Sequence, residues 1–212
     1  MLQNIKWFGH DSFLIKKGKI ICIDPYKLRE TKDKADIILI THDHFDHFSL
    51  EDIEKIKKDS TILIGPKELI GKYDGELKTL KPFESIDVDG IKINTIPAYN
   101  VNKFRAPGKV FHPKKDNKLG FVITIDNKKI YHAGDTDLIQ EMAQLRNIEI
   151  ALLPVSGTYV MTAEEASQAV DIIQPKIAIP MHFNSVVGNE KDALKFKRLV
   201  GDKCLVEILK EE

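Results

Sequence analysis

Hydrophobic and polar positions alternate in short segments at the start of the chain and then give way to short, continuous apolar runs. Segments 5–8, 12–15 and 19–23 are β-like and are separated by glycine turn signals, which predicts an antiparallel meander. The apolar runs at 37–40 and 150–153 are too short for helices and predict buried strands. Two later pairs of β-like segments, joined by Asp89-Gly90 and by Asp126-Asn127, predict hairpins.

Helical spacing of apolar residues alternates with the later strands. It occurs in four segments that begin near residues 50, 138, 163 and 190. Two of these starts carry capping-box patterns, Ser49 with Asp52 and Thr162 with Glu165. Polar residues, including residues that can bind a metal ion, lie at the ends of the predicted strands. The pattern therefore predicts an α/β (α+β) fold whose strand ends share one rim, the usual place for a site.

Length and composition favour one domain spanning residues 1–212, because 42% apolar content in 212 residues is enough for one substantial core. The 32 basic residues equal the 32 acidic residues, so the surface as a whole has no net field for nucleic acid or an anionic membrane. No apolar run approaches the roughly 18 residues of a membrane span, and the start lacks a signal-peptide core, so we expect a cytoplasmic protein. Cys22 and Cys204 stand apart and are expected to be free thiols.

Four potential metal ligands follow the first apolar run within six positions: His42, His44, Asp46 and His47. Crowded imidazoles repel one another when protonated and are costly to bury without partners. A metal ion removes both problems. His42 and His44 can face one ion only if the backbone turns sharply between them, and Asp46 with His47 could serve a second ion beside it.

The series His42-Asp43-His44-Phe45-Asp46-His47 resembles the His-x-His-x-Asp-His signature of the metallo-β-lactamase superfamily. Further segments resemble that family in the expected order: Gly134-Asp135-Thr136, Pro180-Met181-His182 and, near the start, Trp7-Phe8-Gly9-His10-Asp11-Ser12, which is similar to the branch that includes ascorbate-6-phosphate lactonase. The resemblance spans roughly residues 5–184 and implies a four-layer αββα sandwich with two metal ions between the sheets. It also implies that Asp135 bridges the ions and that His182 is the last histidine ligand, although the residues alone equally allow a helix N-cap and a core histidine.

One position departs from the family pattern. Relatives usually carry a histidine just after the strand equivalent to 91–96, but Tyr99, a poor neutral ligand, stands there. Tyr99 is therefore expected to contact the substrate or to lie just outside the ligands. The nearest histidine is His112, inside an irregular, cation-rich segment from 98 to 117. We therefore predict that this segment folds back and that His112 completes the first metal site.

Several other residues are expected around the cleft. His132 precedes Asp135 in the same strand and is expected to orient ligands by hydrogen bonding or to be structural. His10 belongs either to the rim or to loop packing. Lys103, Arg105 or Lys109 would flank the cleft and attract a phosphate or carboxylate, although the same cations are also compatible with an ordinary solvated surface.

These features predict a binuclear metal-dependent hydrolase. Two divalent ions, roughly 3.5 to 4 Å apart, would provide a metal-bridging hydroxide that attacks an ester-like bond, a lactone or a phosphodiester, of a small anionic substrate. Asp46 would position the water and take up protons, with Asp46 and Asp135 both essential. The lactonase resemblance points to manganese and the wider superfamily to zinc, while iron or nickel also suit such ligands.

Three alternatives remain open on the sequence. A nuclease or phosphodiesterase acting on nucleic acid would require a longer basic track than one segment provides. A non-catalytic metal-binding regulatory module would use the same ligands without turnover. A redox di-iron enzyme of this fold would commonly carry glutamate where His44 stands. A homo-oligomer is compatible with the sequence, and no membrane partner is expected.

Overall fold

Two large sheets account for most of the secondary structure. The computed structural model describes residues 1–29 and 31–212, and within them it contains fifteen strands and three α-helices. The strands are β1 Ile5–Trp7, β2 Phe13–Lys17, β3 Lys19–Ile23, β4 Ile37–Leu39, β5 Ile62–Gly65, β6 Leu77–Thr79, β7 Ser85–Val88, β8 Ile91–Pro97, β9 Phe104–Ala106, β10 Lys109–Val110, β11 Leu119–Ile125, β12 Lys128–His132, β13 Ile148–Pro154, β14 Ile177–Met181 and β15 Leu205–Val206. The α-helices are α1 Leu50–Ile56, α2 Ala163–Ile173 and α3 Glu190–Val200.

The first sheet has the strand order β1-β2-β3-β4-β5-β6. Strands β1 to β3 form the predicted antiparallel meander, whereas β3 to β6 run parallel. The second sheet has the order β15-β14-β13-β12-β11-β8-β7, and β9 with β10 forms a separate two-stranded ribbon. Both predicted hairpins are present, as β7–β8 and β11–β12.

The two faces of the first sheet are buried against different layers. Ile37 and Leu39 belong to the core shared with the second sheet, while Ile38 and Ile40 belong to a second cluster with Ile53 of α1. This division follows from the two-residue period of a strand, which sends successive side chains to opposite faces. A strand buried on both faces must be apolar at every position, which explains the continuous run that the sequence shows here.

Helices α2 and α3 cover the other face of the second sheet. They contact each other, and α2 packs on β13 while α3 packs on β14. The layers are therefore α1, first sheet, second sheet, and α2 with α3, which confirms the predicted αββα sandwich. None of the helices in the described part of the chain has the length and apolar character needed to cross a bilayer.

Two helix predictions need correction and one is confirmed. The segment near residue 138 forms only a short 3-10 helix, Gln140–Gln144, in which Met142 is the buried apolar residue. Ser49 caps α1, but the Asp52 carboxylate bonds the backbone of Lys27 and Leu28 instead of returning to the cap. The capping box of Thr162 with Glu165 at the start of α2 is present.

Helix α3 offers a direct test of the outer layer. Phe196 is fully buried on this helix, whereas Leu194 is 53% exposed two residues earlier. We predict that Phe196→Ala lowers the free energy of unfolding by about 3–5 kcal/mol, because it removes a buried ring and leaves a cavity. The matched change Leu194→Ala should alter it by no more than about 0.5 kcal/mol. Urea denaturation measures both values, and equal losses would contradict this packing.

Candidate metal centre

The polar residues of the site reach one rim of the sandwich from several strand ends. The loop after β4 carries His42, His44, Asp46 and His47, the end of β12 leads to Asp135, and β14 leads to His182. The β1–β2 turn and the segment after β8 add one histidine each, and β12 ends with another. All seven histidines of the chain are at this rim: His10, His42, His44, His47, His112, His132 and His182.

The first group of ligand atoms consists of His42, His44 and His112, whose ring nitrogens lie within 4.8 Å of one another. His44 Nδ1 is 3.0 Å from His42 Nε2 and 3.4 Å from His112 Nε2. The structure therefore places His112, 68 residues away from His44 in the chain, where the sequence analysis expected the missing ligand.

The second group lies on the other side of Asp135. His47 Nε2 is 3.3 Å and His182 Nε2 is 3.4 Å from Asp135 Oδ1. The other carboxylate oxygen, Oδ2, faces the first group, at 3.9 Å from His42 Nε2 and 3.6 Å from His112 Nε2. Asp135 thus offers one oxygen to each group, which is the geometry of a bridging carboxylate.

Polar atoms inside the second group have no hydrogen-bond partner among residues 1–29 and 31–212. His47 Nε2, His182 Nε2 and Asp135 Oδ1 are buried and lack hydrogen bonds. Buried polar atoms are nearly always satisfied, and leaving one unpaired costs about 1–3 kcal/mol. A divalent cation with nitrogen and carboxylate ligands would satisfy all three atoms, so the residues present fit a metal ion.

Electrostatics in the second group lead to the same conclusion. Burial alone would lower the pKa of His47, but Asp135 and Asp24 outweigh it and hold that pKa well above its usual value. Burial alone would raise the pKa of Asp135, but His47 and His182 hold it well below its usual value. Without a metal, protons on the two imidazoles balance the carboxylate. Metal binding would release those protons, since the ligating nitrogens must be deprotonated.

Neighbouring oxygens select which imidazole nitrogen faces the centre. Asp24 Oδ2 accepts hydrogen bonds from His47 Nδ1 at 2.8 Å and from Thr41 Oγ1 at 2.6 Å. With its proton directed to Asp24, Thr41 Oγ1 can accept from His42 Nδ1 at 3.0 Å. Ser156 Oγ lies 2.9 Å from His182 Nδ1. In each of these imidazoles Nδ1 holds the proton, which leaves the Nε2 lone pair directed at the centre.

Asn100 explains how the irregular segment delivers His112. The Asn100 backbone N–H donates to the His112 carbonyl at 2.8 Å, and the His112 N–H donates to Asn100 Oδ1 at 2.9 Å. Asn100 Nδ2 also donates to Asp137 Oδ1 at 3.0 Å. These bonds join both ends of the segment to the strand end that carries Asp135. Burial lowers the pKa of His112 to about 4, so the imidazole is neutral at pH 7 and can ligate.

Tyr99 is held by both its hydroxyl and its backbone. Its hydroxyl donates to Glu141 at 2.9 Å, and its backbone bonds Thr136 and Asp137. Lys114 also bonds Glu141 at 2.6 Å and lies over the Tyr99 ring. The Tyr99 hydroxyl is thus engaged with Glu141, and the residue anchors the segment.

His10 and His132 differ in their surroundings. His10 Nε2 lies 3.1 Å from Asp46 Oδ2, and its ring stacks 4.1 Å from that of His182, so His10 belongs to the site. His132 Nε2 donates to the Asp11 carbonyl at 2.9 Å, while its Nδ1 accepts from the Gly134 N–H at 3.2 Å. With both nitrogens bonded to backbone, His132 is not free to ligate and instead holds two loops in place.

The cations expected to flank the cleft have different surroundings. Lys103 is mostly buried and pairs with Glu165 at 2.7 Å and Asp137 at 3.3 Å, so it braces the segment. Lys109 is exposed on strand β10. Arg105 lies on the exposed ribbon strand β9. The buried cation nearest the histidines is Lys118, whose charge contributes to lowering the pKa of His42, His44 and His112.

Gly134 shows how closely the rim is packed behind the bridging aspartate. Its backbone has φ +64°, and a Cβ at this position would lie 2.7 Å from the Leu119 carbonyl oxygen. Only glycine combines that conformation with that approach at low cost. The turn that presents Asp135 to both groups therefore depends on the absence of a side chain at the preceding residue.

Comparison with known proteins agrees with this geometry. The family model of the β-lactamase superfamily domain matches residues 4–182. The chain belongs to the metallo-β-lactamase superfamily. It is 35% identical to a UPF0173 metal-dependent hydrolase of Pyrococcus abyssi, covering 99% of this chain and 97% of that protein, and 36% identical to one of Nanoarchaeum equitans, covering 98% and 96%. Among solved structures, the metallo hydrolase Igni18 of Ignicoccus hospitalis matches with a TM-score of 0.79 and 26% identity, covering 98% of this chain and 94% of that one.

The sequence analysis did not identify several residues of the site. Asp24, Asn100 and Ser156 direct ligands, and Asp11 is buried beside them. Asp24 did carry a signal, because it is a polar residue at a strand end on the same rim. Asn100 and Ser156 are ordinary polar loop residues, and only the folded chain brings them within hydrogen-bond distance of a ligand.

A surface groove of about 830 Å³ lies elsewhere. Asn127, Arg146, Ile148 and Gln174 are among its lining residues, near the start of β13, whereas the histidines gather where the strands end. The acid in this groove, Glu149, is paired with Lys128 and Lys176. We therefore place the functional site at the histidine cluster, where the unpartnered polar atoms are, and not in this groove.

The role of His112 can be tested by metal content. We predict that His112→Ala lowers the number of ions bound per chain, because it removes one of three converging nitrogens from the first group. Inductively coupled plasma mass spectrometry after dialysis against Mn²⁺ or Zn²⁺ measures this number. Lys115→Ala, at an exposed position of the same segment, is the control and should bind as the wild type does. Unchanged metal content in His112→Ala would refute this role.

Proposed function

We propose that the chain is a binuclear metal-dependent hydrolase that cleaves an ester-like bond, a lactone or a phosphodiester, of a small anionic substrate. The observation that carries the proposal is the position of Asp135, whose two oxygens face two separate groups of imidazoles. Membership of a family of metal-dependent hydrolases supports the reaction class.

The proposed arrangement assigns each ion a set of residues. His42, His44 and His112 would hold one ion, Asp46, His47 and His182 would hold the other, and Asp135 would bridge them. Two divalent ions at these positions would supply a hydroxide nucleophile at neutral pH and polarise the oxygen under attack. The ligand set, nitrogen with carboxylate oxygen and no thiolate, is compatible with zinc or manganese, and also with iron or nickel.

Asp46 is the residue best placed to hold the attacking water. Burial alone would raise the pKa of Asp46, but the hydrogen bond with His10 and the charge of His47 bring it to about 2. The carboxylate is therefore ionised at pH 7 and acts as an acceptor for a water proton. His10 Nε2 contacts Oδ2, so Oδ1, which lies 3.9 Å from His47 Nε2, is the oxygen facing the centre. In this scheme His10 positions Asp46.

The surroundings of the centre support a small substrate with a negative charge. Lys118 adds positive charge beside the first group, although Asp43 at 3.7 Å and Glu68 at 3.5 Å partly balance it. Phe45, 67% exposed within the ligand loop, packs edge-on against Tyr26 and forms an apolar wall at the rim. Two cations of the irregular segment, Lys103 and Lys114, are paired with acids, which shortens any basic track that the segment could offer to nucleic acid.

Neutral variants at the two carboxylates test the mechanism. Asp46→Asn and Asp135→Asn should each lower kcat by at least about 10²-fold, because they remove the water acceptor and the bridging charge respectively. Asp43→Asn, in the same loop but paired with Lys72 and Lys118, should remain within about tenfold of the wild type. Full activity in either of the first two variants would be incompatible with the scheme.

The reaction class itself can be tested with the reconstituted protein. After loading with Mn²⁺ or Zn²⁺, the protein is assayed on a panel of lactones and a panel of phosphodiesters. We expect turnover of members of one panel, with loss on chelation and recovery on adding metal. Full metal content without hydrolysis of either panel would favour a non-catalytic metal-binding module.

A further inference from the structure

Asp11 is a buried carboxylate that no part of the proposed reaction uses. Its side chain is fully buried in the turn between β1 and β2, and neither Oδ1 nor Oδ2 has a hydrogen-bond partner. Its backbone is fixed, because the Asp11 carbonyl accepts from His132 Nε2 at 2.9 Å and the neighbouring His10 carbonyl accepts from the His182 N–H at 3.1 Å. The side chain is therefore held in position by rigid surroundings.

Other buried aspartates that are not proposed as ligands have hydrogen-bond partners for their carboxylates. Asp24 accepts bonds from Thr41 and His47, and Asp52 accepts from the backbone of Lys27 and Leu28. Asp137 is likewise bonded by two backbone N–H groups and by the Asn100 amide. Asp11 resembles none of these. In having a carboxylate oxygen without a hydrogen-bond partner, Asp11 resembles Asp135, the residue between the two histidine groups.

The neighbours of Asp11 give its side chain no hydrogen bond. His47 Nδ1 is 3.9 Å from Asp11 Oδ2, beyond hydrogen-bond distance, and that nitrogen already bonds Asp24 at 2.8 Å. A buried carboxyl group without a hydrogen-bond partner is unfavourable. One oxygen of Asp11 nevertheless lies within 4.8 Å of the ligand atoms of His47, Asp135 and His182, where a cation would compensate its charge.

We propose that Asp11 is an additional ligand of the second metal position, alongside His47, Asp135 and His182. The inference rests on the proposed function, since it requires that the second position be occupied by an ion. It makes this position richer in oxygen than the first, which has three imidazoles. Because carboxylate ligands suit Mn²⁺ better than imidazoles do, Asp11 biases the second position towards Mn²⁺ over Zn²⁺.

Charge balance is consistent with this assignment. Two divalent ions bring four positive charges, and Asp46 and Asp135 compensate two of them. Asp11 compensates a third, which leaves one for a bound hydroxide or an anionic substrate. The proposed centre then approaches neutrality when loaded, and this lowers the cost of burying it.

The test compares Asp11→Asn and Asp11→Ala with the wild type in both metal-free and loaded forms. Isothermal titration and metal analysis give the number of Mn²⁺ and Zn²⁺ ions bound and their affinities, and thermal unfolding gives the stability of each form. Asp52→Asn is the control, since Asp52 is a buried carboxylate that is satisfied by backbone N–H groups far from the ligands.

We expect both Asp11 variants to weaken the binding of one Mn²⁺ equivalent by at least about tenfold, with a smaller loss for Zn²⁺. Without metal, both variants should melt at or above the temperature of the wild type, because neither keeps the buried carboxyl group that lacks a hydrogen-bond partner. Their stabilisation by Mn²⁺ should be smaller than that of the wild type. Asp52→Asn should show the opposite pattern, a lower melting temperature without metal and an unchanged Mn²⁺ shift.

Two results would overturn the inference, and they can be told apart. If the wild type binds two ions and both Asp11 variants bind them with unchanged affinity and metal preference, Asp11 is not a ligand and the proposed function stands. If the wild type binds no ion, the binuclear proposal fails and the Asp11 assignment fails with it. If the wild type binds only one ion, the binuclear proposal fails, and the Asp11 assignment fails too when both Asp11 variants bind that ion as the wild type does. A variant that is less stable without metal but gains the wild-type Mn²⁺ shift also counts against the assignment, since it indicates a structural role.

Discussion

The rest of the site depends on one carboxylate that has imidazoles on both sides. Asp135 lies within 4 Å of four histidines, with one oxygen directed to each group, and the atoms that meet there are buried. Protons alone satisfy such an arrangement poorly, because the imidazoles repel when charged and leave orphaned lone pairs when neutral. A metal centre resolves both problems, and the surrounding sandwich keeps these atoms close together.

The sandwich achieves this by sharing one rim among strands of both sheets. The ends of β4, β8, β12 and β14 all reach this rim, so residues far apart in the chain become neighbours. Oxygens just behind the ligands, on Asp24, Thr41 and Ser156, then fix which nitrogen each imidazole presents. These hydrogen bonds hold the ligand side chains in fixed orientations on the scaffold, so the site is preorganised.

The irregular segment after β8 shows how one departure from the family pattern is accommodated. Tyr99 occupies the position where relatives usually carry a ligand, but the Asn100–His112 bonds bring a later histidine back to the same place. Two cations of this segment pair with acids, Lys103 with Glu165 and Asp137, and Lys114 with Glu141. These pairs help to hold the loop against the site.

The sequence by itself determined the layers of the fold and the metal-binding loop. Two-residue alternation and continuous apolar runs identify which strands are buried on one face or on both, and the spacing of His42, His44, Asp46 and His47 is local, so it can be read directly from the chain. Only the tertiary structure decided the positions of His112, Asp24, Ser156 and Asp11. Their roles depend on contacts between residues that are distant along the chain, and single polar residues carry no periodic signal that would announce such contacts. The same reason explains why the sequence predicted too long a helix near residue 138. The spacing of its apolar residues indicated that they are buried, but the packing around the segment set the length of the helix.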